Sequence, residues 1–204
     1  MISTRHKFIF LHVPKTAGNA VQSYLLPYGD DQKLVHRHQD GVERFDVRGS
    51  LTPTKHAMLQ SYADTMGAGL DGYAVILPIR DPIDRALSLY FSPHRAFGRP
   101  EGFRPVFEPA QFELLLQKMP SMTDFVRVDG TPRPPDFLLR FDNLAADLAL
   151  VAARFALPPP NLPVLNRSLD QSGERAKLRS DPEVIEKVHQ RFAEDYAYFA
   201  ADLG

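Results

Sequence analysis

The chain has 204 residues, 24 Lys plus Arg against 25 Asp plus Glu, 44% hydrophobic residues, and neither cysteine nor tryptophan. A chain of this length buries roughly 70% of its unfolded surface around one core, so a single domain over 1–204 is expected and a disordered tail protein is excluded. The net charge of −1 excludes a nucleic-acid coat, and the missing cysteines exclude disulfides, thiolate zinc sites and cysteine nucleophiles.

Arg5, His6 and Lys7 precede an apolar run that ends at Val13, which is too short for a secretory leader. No stretch reaches the ~20 apolar residues of a membrane span. A soluble, cytoplasmic protein is the expectation. Eighteen prolines, about 9% where ~5% is usual, predict many turns.

Phe8 to Val13 is a nearly continuous apolar run that suits a strand buried on both faces. Pro14 to Asn19 then forms a turn, and Val21, Tyr24 and Leu25 repeat at helical spacing over Ala20 to Leu26. From Pro27 to Thr54 the text is polar, with Lys33 to His36 and Phe45 to Val47 as short strands in a loop region. Lys55 to Met66 returns to helical period and Gly67 ends it. Tyr73 to Ile79 reads as a second buried strand. Asp81 then caps a helix whose first residue is Pro82, where a missing N–H costs nothing.

Phe97 to Pro109 is a loop rich in Phe and Arg, which suits either an acceptor grip or lid-like packing. Phe112 to Met119 and Met122 to Val128 are short helices split by Pro120-Ser121, and Asp129 to Pro135 is a turn. Phe137 to Phe141 is a third strand. Asp142 is expected to cap a helix through Leu144, Leu148, Val151 and Phe155 that Pro158-Pro159-Pro160 stops. Ser180 and Glu183 have capping-box spacing at the start of a long helix running to Phe199. Strands alternate with helices, so the class is α/β with a mainly parallel sheet.

A buried strand entering a Lys- and Gly-containing turn that opens a helix is an anion site by construction. Backbone N–H groups converge there and the helix terminus adds about half a positive charge. The turn is not a Walker loop, because Gly-x-x-x-x-Gly-Lys-Ser/Thr is absent and the lysine precedes the glycine, which argues against an ordinary nucleoside-triphosphate kinase. The alternative is an ordinary tight turn.

His12-Val13-Pro14-Lys15-Thr16-Ala17-Gly18-Asn19 closely resembles the Pro-Lys-Thr-Ala/Gly-Gly loop of the sulfotransferases that use 3′-phosphoadenosine 5′-phosphosulfate (PAPS), particularly the carbohydrate-type and bacterial branch. The resemblance implies a three-layer, P-loop-like α/β fold in which Lys15, Thr16, Ala17, Gly18, Asn19 and Ala20 hold the 5′-phosphosulfate. Ile79-Arg80-Asp81-Pro82, with Ser88 eight residues after Arg80, looks like the 3′-phosphate motif of that family and assigns Arg80 and Ser88 to that phosphate. Phe137 to Leu144 and Leu165-Asn166-Arg167-Ser168 are weaker echoes, with Asn166 and Arg167 divided between lining the site and loop hydrogen bonding. Arg85 reads as structural, pairing with Asp81 or Asp84.

Sulfuryl transfer needs an oriented hydroxyl, a base, and positive charge on the departing phosphate oxygen. Lys15 supplies the charge. His56, in a Lys-His-Ala segment similar to one in bacterial relatives, is the expected base at the start of its helix. His36 and His38 are the substitutes, and their spacing also raises a metal pair, with no third ligand evident. His12 is expected to pack beside the loop. The implied partners are PAPS and its product nucleotide PAP, with a hydroxyl acceptor that the resemblance makes a carbohydrate and no required metal. One departure is that Asn19-Ala20 stands where relatives often carry Thr-Ser or Ser-Thr. Two readings therefore stand beside the principal one: a catalytically degenerate PAPS or PAP binder, and an ATP-dependent small-molecule kinase.

Overall fold

The computed structural model describes residues 1–42, 44–92, 106–162 and 173–203. They divide into two compact units, residues 1–79 with 122–165 and residues 80–121 with 166–204.

The first unit holds a four-stranded sheet in the order β1 (Ile2–Ser3), β2 (Phe8–Phe10), β5 (Ala74–Ile79), β8 (Phe137–Arg140). β2, β5 and β8 are parallel, and β1 is an antiparallel edge. Helices of the same unit flank the sheet: α1 (Gly18–Leu25), α2 (Leu59–Met66), α5 (Met122–Val126) and α6 (Leu144–Arg154). Phe8, Phe10, Ile76 and Leu139 on one sheet face share a core with Val21 and Leu25 of α1 and Leu148, Val151 and Ala152 of α6. Each such side chain contributes about 1.5–3 kcal/mol by leaving water. The unit therefore has the α/β class and mainly parallel sheet that the alternating pattern requires. β3 (Gln32–Leu34) and β4 (Asp46–Arg48) form a separate antiparallel pair, as do β6 (Arg127–Val128) and β7 (Thr131–Pro132).

One proline decides where the chain leaves the sheet. Phe10 is paired with Ile76, and Leu11 N donates to the Ile76 carbonyl at 3.0 Å. In a parallel ladder the next bond would run from the N–H of residue 78 to the Leu11 carbonyl, but Pro78 has no N–H. Val13 N takes that carbonyl instead, at 3.0 Å. The regular strand thus stops at Phe10, and the chain turns off the sheet into Pro14.

Several boundaries differ from the sequence reading for local reasons. α2 begins at Leu59, so His56 lies in the turn before the helix and not at its start. Asp142 does not cap α6, which follows a 3₁₀ turn over Phe141–Asn143 and has no side-chain cap. The carboxylate in the first turn of that helix is Asp147, which accepts from Arg140 N and from the Asn143 side-chain amide at 2.8 Å each, and from the Arg140 guanidinium at 2.6 Å. Those bonds from Arg140 hold its carboxyl below the ordinary range. α6 ends at Arg154, before the prolines, because Ala156 adopts a left-handed conformation and Leu157 N reaches back to the Ala152 carbonyl at 2.8 Å. The turn expected over Asp129 to Pro135 is a hairpin tip, with Asp129 and Gly130 both at positive φ.

The second unit is helical: α3 (Pro82–Tyr90), α4 (Pro109–Lys118), α7 (Glu174–Arg179), α8 (Pro182–Arg191) and α9 (Ala193–Tyr198). Asp81 caps α3 by accepting from Asp84 N at 2.9 Å, with Pro82 at the first helical position. The long C-terminal helix is instead two helices, broken at Phe192, and its cap is Asp181, which accepts from Glu183 N and Val184 N. Ser180 is not the cap. Arg85 departs from expectation most. It is fully buried, donates to the Pro120 carbonyl and faces Asp195 at 3.7 Å, while Asp84 pairs with Arg175 and Arg179. Removing one member of a buried pair strands the other charge. Asp195→Ala is expected to cost about 3–5 kcal/mol, read as a lower urea midpoint, whereas replacing the pair together by Arg85→Met and Asp195→Leu costs little.

Candidate active site

The loop between β2 and α1 is closed from within. Thr16 is fully buried and its hydroxyl donates to the Val13 carbonyl at 2.8 Å. Lys15 and Ala17, on either side of it, both have left-handed backbones, at φ 71° and 64°. Single residues of this kind alternating with ordinary ones turn successive N–H groups toward one concave side, the arrangement that holds anions. Left-handed geometry costs a residue with a side chain roughly 1–2 kcal/mol, so the surrounding contacts must hold these two residues in place. The N-terminus of α1 has no side-chain cap bond and no acidic residue in its first turn, so neither a cap nor an acid of that turn neutralises its positive end. Ala20 N is engaged with the Ala17 carbonyl at 3.0 Å, and the Ala20 methyl is buried. Lys15, Asn19 and Ala17 are half-buried.

His12 lies beneath this loop, 4% exposed. A Cβ built at Gly18 would overlap the His12 ring at Cδ2 and Nε2, so only glycine lets the helix start rest on that ring. On its other side His12 Nδ1 meets Gln22 Oε1 at 2.8 Å. The His12 ring also stands edge-on to His56, with centroids 4.8 Å apart.

His56 Nδ1 donates to the His12 carbonyl at 2.9 Å. That bond fixes the tautomer and leaves Nε2 as the basic nitrogen. The residue is exposed on its outer side, yet its inner edge is packed away from water. That burial lowers its pKa, with Lys55 adding to the effect while the His12 carbonyl opposes it. Lys55 stacks its ammonium on the Phe45 ring at 4.1 Å and donates to the Phe45 carbonyl, and burial pushes it down to about 8.

Burial holds the His12 pKa well below the ordinary 6.5, with the neighbouring His56 and Lys55 acting the same way. The unfolded chain therefore binds a proton at residue 12 that the fold refuses. Stability declines as pH falls below about 6.5, by up to about 1.4 kcal/mol per pH unit for this one group, and gains no slope from it above that value. Urea midpoints between about pH 7 and pH 5 measure the decline, and His12→Phe makes it shallower, with His56 supplying part of what remains.

The fold thus gathers Lys15 to Ala20, His12 and His56 in the first unit through the His12 ring and carbonyl. Arg80, half-buried, and Ser88, 7% exposed on α3, belong to the second unit. His36 and His38 follow β3 in an exposed turn and are not on a strand, and His36 Nε2 pairs with Asp46 at 3.5 Å. Among the described residues no three His, Asp or Glu gather as a metal would need. Asn166 and Arg167, and Arg95, Phe97, Arg99, Phe103 and Arg104 of the aromatic loop, lie outside the described residues. Phe107 of that loop packs against Tyr90 and Phe112 with centroids 5.4 Å away. A shallow depression of about 340 Å³ lined by Ala63, Leu70, Asp71 and Arg133 contains none of the candidate residues. No described helix is long and apolar enough to cross a membrane.

Gln22 and Gly18's dependence on His12 went unread in the sequence. The signal for Gln22 was faint: a polar residue beside Val21 on a helix whose apolar stripe already accounted for its neighbours.

A protein-family model described as the Sulfotransferase family matches residues 1–114. Neither the curated proteins nor the solved structures yield a match.

Proposed function

The chain belongs to the sulfotransferase family, a family of transferases that move a sulfuryl group from a donor to an acceptor, and we propose that its donor is PAPS and its acceptor a hydroxyl, in the first place of a carbohydrate. The observation that carries this reading is the loop over Lys15 to Asn19, with its two left-handed residues, uncapped helix and lysine, opposite which no carboxylate of the first helical turn competes.

In this reading the 5′-phosphosulfate lies against the loop N–H groups, and the Lys15 ammonium neutralises charge building on the bridging phosphate oxygen as the S–O bond breaks. His56 Nε2 takes the proton of the acceptor hydroxyl while that oxygen attacks sulfur in line. Its lowered pKa keeps it unprotonated at neutral pH. Arg80 and Ser88 are assigned to the 3′-phosphate, for which a guanidinium fork is the matched donor. Thr16 contributes through its backbone, since its hydroxyl is spent on Val13. No metal is invoked.

One observation favours the second reading, a PAP-binding protein without turnover. With Thr16 turned inward and Asn19-Ala20 after the glycine, none of these three side chains offers a hydroxyl outward from the loop. Calorimetry with PAP and PAPS, followed by incubation of radiolabelled PAPS with polysaccharide and lipid extracts, separates the possibilities. Transfer to polysaccharide supports the principal reading, nucleotide binding without transfer supports the second, and absence of nucleotide binding overturns both.

A further inference from the structure

We infer that His12 and Gln22 are positioning residues that hold His56 in its base-competent tautomer and seat the start of α1, although neither is placed to touch a substrate. The inference rests on the reading of His56 as the base. Three contacts converge on His12: its ring carries Gly18, its Nδ1 is held by Gln22 at 2.8 Å, and its carbonyl receives His56 Nδ1 at 2.9 Å. A shift of this one residue therefore moves the phosphate-facing helix start and the basic nitrogen together.

Gln22 supplies an independent sign that the arrangement is kept for something other than stability. It is fully buried, and among the described residues its Nε2 has no hydrogen-bond partner. Leaving a buried donor unpaired is unfavourable, and a methionine of similar shape would remove that donor. What methionine lacks is the oxygen that meets His12 Nδ1. Buried polar groups retained at a cost in stability are expected where they orient reacting groups.

Residue-specific ¹H–¹⁵N spectra of the histidine rings, with His56 assigned by comparison with His56→Gln, read tautomer and pKa directly and need no acceptor. In the natural protein His56 is expected as the Nδ1–H form, titrating below 6.5. In Gln22→Met the His56 ring becomes a mixture of tautomers and its pKa rises toward 6.5, as water reaches a ring no longer held. Gln22→Glu, which keeps an acceptor for His12 Nδ1, retains the natural His56 tautomer. PAP affinity, read by calorimetry, falls about tenfold in Gln22→Met as the helix start shifts. His12→Phe fills the same space without the Gln22 bond and decides the matter if Gln22→Met does not fold. An Nε2–H form of His56 in the natural protein overturns the inference. So does an unchanged His56 tautomer and pKa in a folded Gln22→Met or His12→Phe protein. Absence of PAP binding by the natural protein would remove the sulfotransferase reading while the ring spectra still decide this one.

Discussion

His56→Ala is expected to lower sulfuryl transfer by about 10²–10⁴-fold while PAP affinity stays close to that of the natural protein. A positioned base contributes about that much, or roughly 3–5 kcal/mol of transition-state stabilisation. The separation of the two effects follows from the contacts: His56 meets the His12 carbonyl and ring edge and takes no part in closing the loop. Single-turnover transfer from radiolabelled PAPS and calorimetry with PAP measure the two quantities on one preparation. A retained rate would transfer the base to His36, His38 or a carboxylate. The pH dependence adds a sign. Burial lowers the His56 pKa, so the basic form persists below the ordinary histidine range and the acid limb of kcat/KM falls under pH 6.5.

Lys15→Ala is expected to lower transfer by about 10²–10³-fold, the usual effect of removing one donor aimed at developing charge. PAP binding weakens as well, because the product phosphate keeps its charge. Stability is expected to change little. Alanine occupies the same left-handed backbone at residue 15, so the local strain is neither added nor relieved. Lys15→Gly separates strain from charge: it relaxes the backbone and stabilises the fold by about 1 kcal/mol while losing the same activity. A Lys15→Ala protein that transfers at the natural rate would sink the assignment of this ammonium to the leaving oxygen.

Much of the architecture was legible because local and global signals agree. The apolar runs at residues 8 and 73, the Asp81-Pro82 helix start and the Pro120-Ser121 break each state their structure within a few residues. What escaped depends on partners far along the chain. Pro78 reads as an oddity within a strand until Leu11 is found opposite it, where its missing donor frees the carbonyl that turns the loop. Arg85 had Asp81 one helical turn before it and Asp84 beside it, and local spacing cannot see that Asp195 waits 110 positions later in the chain. Ser180 and Asp181 are both good caps, and backbone geometry chose the one followed by proline. For the site, the motif named Lys15 and the glycine, but the reason for the glycine is a ring six residues earlier.

The interleaving of the two units has a consequence for how the protein is made. β5 is complete at Ile79, but its second partner, β8, begins only at Phe137. At about 5–20 residues per second, that apolar strand waits roughly 3–12 s on the ribosome with one edge unpaired. Neither unit is a continuous stretch that could be cut out and produced alone, since each is finished by a segment that follows part of the other. Truncation at residue 121 would leave the first sheet without its third parallel strand, and such a fragment is a substrate for chaperones and proteases before it is a domain.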